Sequence, residues 1–285
     1  MRVLVAVALL LLSGCAASPP PPPRPPQAEV SVAIYQTRPD MAERRLELSV
    51  TNESSEVMTI SRASFTSGQF ASSVDWQKDS TRVLPGVAVD LPVLLADPAC
   101  GDEPVEASVE LEYAIGDGPV QTVSLTPVDK FDRMEQLRVE DCIGVSLAEH
   151  VTLELSTLPR TVMSHGRIVA ELDLTLTPTG APGSARVSAV LSTVLLAVTD
   201  PATGATPASV PLDIVVDTES QPSTVTLEII PSRCDPHAVA EDKRGTVFPF
   251  TVTTSDGAEG TAFVAATPEV KAALFSFVGE ACGTD

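Results

Sequence analysis

The chain is poor in aromatic residues, with 8 Phe, 2 Tyr and 1 Trp among 285 positions. Its cores must therefore rest on Val, Leu, Ile and Ala, and the abundant Val and Thr suit strands. Histidine is scarcer still, with three: His150, His165 and His237. Basic residues number 18 against 38 acidic ones, a net charge of −20. Phosphate binding needs a basic footprint, so nucleic acid is excluded as a partner. Direct adhesion of the body to an anionic membrane is disfavoured for the same reason. The acidic excess reads as solubility. No apolar run after Cys15 reaches the roughly 20 residues that a bilayer demands. Gly-x-Ser-x-Gly, His-Glu-x-x-His and phosphate-cradling Gly-rich motifs are all missing. The expectation is a protein that is not an enzyme and needs no cofactor and no metal.

What is present begins at the N-terminus. Arg2 precedes an unbroken apolar run from Val3 to Leu12, followed by Leu12-Ser13-Gly14-Cys15. The run is too short for a span and has the length and flank of a secretory signal. At Leu-Ser-Gly-Cys the sequence resembles the lipobox of bacterial lipoprotein precursors. The resemblance implies cleavage before Cys15 and a diacylglycerol on its sulfur. It implies a membrane partner through the lipid and a location on the extracytoplasmic face of the cell membrane. Two or three chains at one residue hold firmly, at about 0.8 kcal/mol per buried methylene. Ordinary secretion, with Cys15-Ala16-Ala17 as the cleavage site, is the competing reading.

Seven of the eight residues from Pro19 to Pro26 are proline, with Arg24 between them. Such a run prefers polyproline II and makes a semi-rigid tether of roughly 30 Å. From Ala28 onward strands dominate. Strict alternation marks 29–35, 45–51, 107–115, 151–155 and 167–177. Further candidates are 57–60, 87–95, 120–126, 187–199, 210–216, 225–230, 247–253 and 262–266. Pro92 argues for an edge strand or a bulge. Two helical stretches are expected, one capped at Thr126-Pro127 and running through Leu137, the other from Pro268 to Val278 with Thr267 as cap.

The two halves look like copies of one unit. Each has a cysteine after a strand (Cys100, Cys234), then a hairpin with Asp-Gly (Asp117-Gly118, Asp256-Gly257). Each follows with Thr-Pro (Thr126-Pro127, Thr267-Pro268) and a second cysteine (Cys142, Cys282). Four cysteines in an exported chain read as two disulfides with three possible pairings. The duplication favours Cys100–Cys142 and Cys234–Cys282. The fold class is then all-β, with two tandem sandwiches that resemble immunoglobulin-like or fibronectin-like domains in strand count and turn spacing. The expected divisions are a signal peptide over 1–14, a lipidated tether over 15–27 and sandwiches over 28–145 and 146–285.

Candidate chemistry is thin. His237 lies three residues after Cys234 and four before Glu241, which makes 234–244 a possible ligand loop. The plainer reading is a polar insertion between strands, since Cys234 is claimed by a disulfide. Asp102 and Glu103 form an acid pair, but exposed neighbours in a turn do not converge on one substrate. Trp76 could be a binding hot spot or could cover the core. Together these features point to a cell-envelope lipoprotein that acts as a non-enzymatic interaction module with a protein partner. Capture of a small ligand or metal for uptake or sensing is the alternative.

Overall fold

The computed structural model describes residues 29–101, 106–235 and 244–283. Cys15, the acid pair Asp102 and Glu103, and the pair His237 and Glu241 lie outside these residues. The body consists of two β-sandwiches and, as expected, strands dominate.

In the first sandwich, one sheet has β1 (Val30–Tyr35), β2 (Arg45–Asn52), β6 (Ala88–Leu94) and β9 (Val128–Asp129) in the order β6-β2-β1-β9. The facing sheet has β4 (Val74–Asp75), β3 (Met58–Ser67), β7 (Ala107–Ile115) and β8 (Gln121–Leu125) in that order, with β5 (Thr81–Val83) also on β3. Alternation drives the assembly: Leu46, Leu48 and Val50 of β2 are all fully buried, as are Val109 and Leu111 of β7. A side-chain period of two places such residues on one face, and that face is the core. Pro92 sits in β6, an edge strand, where its missing N–H costs no ladder bond.

The second sandwich repeats this plan. Its first sheet runs β10 (Val151–Glu154), β12 (Arg167–Pro178), β16 (Ser223–Pro231), β14 (Leu196–Thr199), with β11 (Arg160–Ser164) beside β12. Its second runs β15 (Ser209–Asp217), β13 (Ser184–Leu191), β17 (Val247–Thr254), β18 (Glu259–Ala265). Reading β10 as β1, β12 as β2, β16 as β6, β13 as β3, β17 as β7 and β18 as β8, the orders coincide. Even the parallel return matches: β9 pairs with β1, and Ala266 bridges Leu155 just after β10. Cys100 pairs with Cys142 and Cys234 with Cys282, each with Cα atoms 5.4 Å apart. By the chain-entropy argument each bridge contributes about 4 kcal/mol.

Among the described residues three helices complete the fold: α1 (Arg38–Glu43), α2 (Arg133–His150) and α3 (Pro268–Cys282). Thr267 caps α3 by accepting from the Val270 N–H, as its sequence predicts. The first long helix departs from expectation. Thr126-Pro127 does not start it; β9 follows instead, and Asp129 takes the capping role. Its carboxylate accepts from the N–H groups of Arg133 at 2.9 Å and Met134 at 2.8 Å. The helix also runs past Leu137, through Cys142, to His150, and so contains the 145/146 position. Met134 and Leu137 belong to the first core, and Ile143 and Leu147 to the second. At 100° per residue the two pairs point about 130° apart, so no single apolar stripe marks the helix.

Other differences follow from the same local logic. The apolar run 187–199 is two strands, β13 and β14, in opposite sheets. The short candidate at 57–60 extends to Ser67, through a register shift between Ile60 and Arg62. Trp76 is 6 % exposed and packs into the first core, which removes it as a surface hot spot.

Candidate functional site: a cleft between the sandwiches

The site is built where α2 leaves one core and enters the other. β1 ends at Tyr35, and the chain turns through Gln36 and Thr37 into α1. The Asp40 carboxylate accepts from the Thr37 N–H at 2.7 Å and fixes the start of that short helix. α1 ends at Arg44, whose backbone is left-handed at φ 53. That turn aims the Arg44 guanidinium at α2, where it grips Asp141 with two bonds of 2.5 and 3.1 Å. Asp141 holds Arg44 in its charged form, shifting its pKa upward.

A second arginine is buried near the start of the same helix, eight residues before Asp141. Arg133 donates from Nε to Gln36 Oε1 at 2.6 Å and from its two terminal nitrogens to Glu140 at 3.2 and 3.0 Å. Gln36 in turn donates to the Arg45 carbonyl. Buried charge is tolerated only when paired and hydrogen-bonded in this way. The chain between β1 and β2 is thus tied to α2 by two charge-assisted links.

The opposite wall comes from the second sandwich. Phe263 is on the outward side of β18, since Ala262 and Val264 take the inward positions, and it is 40 % exposed. The Arg244 guanidinium lies over its ring, 4.7 Å from the centroid, and reaches the Met41 sulfur at 3.6 Å. Between the walls is a cleft of ≈ 440 Å³. Its floor is the face of α2 that carries Leu137, Asp141, Gly144 and Ala148, and Val247 and Ala265 close its far side. Three arginines and two carboxylates meet there in a strongly acidic chain. The cleft therefore offers a largely apolar floor, an aromatic ring under one guanidinium, and one wall already fixed by ion pairs.

The two described histidines, His150 and His165, do not come together. His165 lies in the β11–β12 turn, its Nε2 at 3.1 Å from the Pro201 carbonyl oxygen. His150 is buried at the end of α2, and neither ring nitrogen has a hydrogen-bond partner among the described residues. Ser146, one turn earlier, bonds Thr254 and both oxygens of Asp256 at 2.8 Å. Hydrogen bonds to Asp256 from the Thr254 side chain first and Ser146 next hold its carboxyl below the usual range. Ser146 thus faces an acid and not the imidazole, and no nucleophile–base pair forms there. Among the described residues no group of three or more His, Cys, Asp or Glu could hold a metal ion. No described helix is long and apolar enough to cross a membrane.

Of the cleft residues only Arg244 falls in a stretch the sequence singled out, the end of the 234–244 loop; Arg44, Arg133 and Phe263 come from distant segments and escaped it. One signal was available: Phe263 is a large aromatic on the outward side of an alternating strand.

No protein-family model matches the chain, and no curated protein sequence matches it. Among solved structures, it is similar to the BSP domain of a biofilm-associated protein, at TM-score 0.22 and 9 % identity over 84 % of this chain and 57 % of that one. It therefore spans little more than half of that chain. It is also similar to the YadV chaperone, at TM-score 0.24 and 9 % identity over 83 % of this chain and 100 % of that one. A third likeness is to a chain of the CsuC–CsuE chaperone–tip adhesion subunit complex of Acinetobacter baumannii, at TM-score 0.20 and 12 % identity over 83 % and 99 %. At such TM-scores the backbones do not superpose, so these proteins lend this chain no function.

Proposed function

We propose that this protein is a lipid-anchored, non-enzymatic interaction module of the cell envelope that takes a protein partner in the cleft between its two sandwiches. Cys15 carries the acyl chains, and the proline run separates the body from the membrane on its outer face. The observation that carries this reading is the shared helix. With α2 inserted in both cores and pinned by Arg44 and Arg133, the cleft walls are fixed before any partner arrives, which lowers the ordering cost of binding. Arginine and exposed aromatic side chains are also the types that dominate interface energetics. Capture of a small ligand is the second reading, favoured by a cleft volume within the range of small-molecule sites.

The test is crosslinking of the anchored protein in its own cells, followed by mass spectrometry, with Cys15→Ala as the mislocalised control. A protein partner lost in that control, and weakened at least tenfold by Phe263→Ala or Arg244→Ala, is the expected result; a hot-spot residue is worth about 2 kcal/mol or more. A partner indifferent to both cleft substitutions would sink the proposal. No protein partner, with a small molecule retained in native mass spectrometry, would transfer the cleft to ligand capture.

A further inference from the structure

The internal repeat exposes a difference between the two sandwiches. In the second, β18 is an edge strand, and α2 lies along it. Ile143 and Leu147 close that side of the core, at 6 % and 5 % exposure. The approach is close: a Cβ on Gly260 of β18 would collide with Ile143. The edge is thus shielded from stray strand pairing by a helix.

In the first sandwich the counterpart of β18 is β8, also an edge strand. No described helix lies along it. Gln121, Thr122 and Ser124 are exposed, whereas Ala262 of β18 is buried. The strand is uncharged, contains no proline and has no β-bulge in its register with β7, so it lacks the usual devices that blunt an edge. The same side continues into β9, and along it Val120, Val128 and Phe131 are each 65 % exposed. Scattered apolar residues on a surface need no explanation. Three of them before β8, in β9 and just after it, on the side that the repeat covers with a helix elsewhere, do.

We infer that this β8–β9 edge is a second docking surface, for an amphipathic helix of a partner protein that carries two apolar side chains four residues apart, flanked by Lys or Arg. The helix follows from the repeat: Ile143 and Leu147 of α2 are such a pair at the equivalent edge. The basic flanks follow from charge. Glu110 and Glu112 stand opposite Ser124 and Thr122 on the neighbouring strand, and Asp117 is in the hairpin turn, with Arg62 as the counter-charge beside the glutamates. α3 does not supply such a helix from a second copy, because it ends at Cys282 while α2 runs eight residues beyond Cys142. The inference does not depend on the cleft.

The experiment is site-specific photocrosslinking in the cell that makes the protein, with a photoreactive phenylalanine placed in turn at 120, 128 and 131 of the full chain. A fourth placement, at 263, reports on the cleft. The crosslinked peptides are sequenced by mass spectrometry. The expected result is one partner segment, reached from at least two of the three edge positions, with apolar residues at i and i+4 and Lys or Arg beside them. Its capture should fall at least tenfold with Val128→Asp/Phe131→Asp and decline at high salt, with no change in melting temperature or in the product from position 263. Val128→Ser/Phe131→Ser serves if the aspartates disturb folding. No crosslink from the edge, a second copy of this chain, or a segment with strand-like alternation would each overturn it.

Discussion

Across the outer face of the first sandwich, Tyr35 donates a hydrogen bond of 2.7 Å to Asp90. That bond, with burial and the charge of Asp90 behind it, raises the phenol to about 12. The other tyrosine, Tyr113, is also raised, by burial. A folded-state pKa above the unfolded one means that the neutral phenol is favoured by the fold. Its contribution is fully present below the ordinary tyrosine range near 10 and is lost as pH climbs from there toward 12. Ultraviolet titration should therefore show less phenolate at pH 10 in the native protein than in the unfolded chain. Asp90→Ala should bring one tyrosine down toward the ordinary range, and a titration unchanged by that substitution would dismiss the bond. At this scale the sequence was partly legible. The cysteine pairs could be read because their spacing recurs beside the same Asp-Gly and Thr-Pro marks. For Trp76 the reading that it covers the core held, although Asp75, Lys78 and Asp79 around it look like a loop.

Most single strands were legible for a simple reason. A strand with one buried face writes its period of two into the sequence, and 107–115 and 167–177 do so almost residue for residue. α2 broke the corresponding rule for helices. Its apolar pairs serve two cores from two directions, so a search for one stripe ends at Leu137. Gly144 is at the handover, and no close approach explains it: a Cβ there would meet nothing within 4 Å. Glycine in a helix interior costs up to about 1 kcal/mol relative to alanine. Gly144→Ala should accordingly stabilise the protein by roughly that amount, read as an upward shift of the denaturant midpoint with an unchanged slope. If the bare floor serves an occupant of the cleft, the same variant will bind its partner more weakly despite its higher stability. A destabilised Gly144→Ala would mean that α2 needs a bend at this point.

For the molecule as a whole, the sequence disclosed a duplication but not its consequence. Two copies of a sandwich are ordinarily joined by a linker, and their relative motion is the default expectation. Here the eight residues of α2 beyond Cys142 replace the linker with shared structure. The first sandwich cannot release Met134 and Leu137, nor the second Ile143 and Leu147, without loosening one helix that both use. The ion pair between Arg44 and Asp141 adds a tie that depends on both the α1 turn and the helix. Unfolding should therefore be a single cooperative event, with calorimetric and van't Hoff enthalpies that agree. Val139 offers the means of cutting this coupling. It is 44 % exposed and lies between the two apolar pairs, so replacing it empties neither core. Val139→Pro breaks the helical ladder there, at about 3 kcal/mol. The wild-type protein should melt in one calorimetric transition and Val139→Pro in two. Two transitions in the wild type would show that the sandwiches merely touch, and a cleft between independent bodies would no longer have walls fixed in advance of binding.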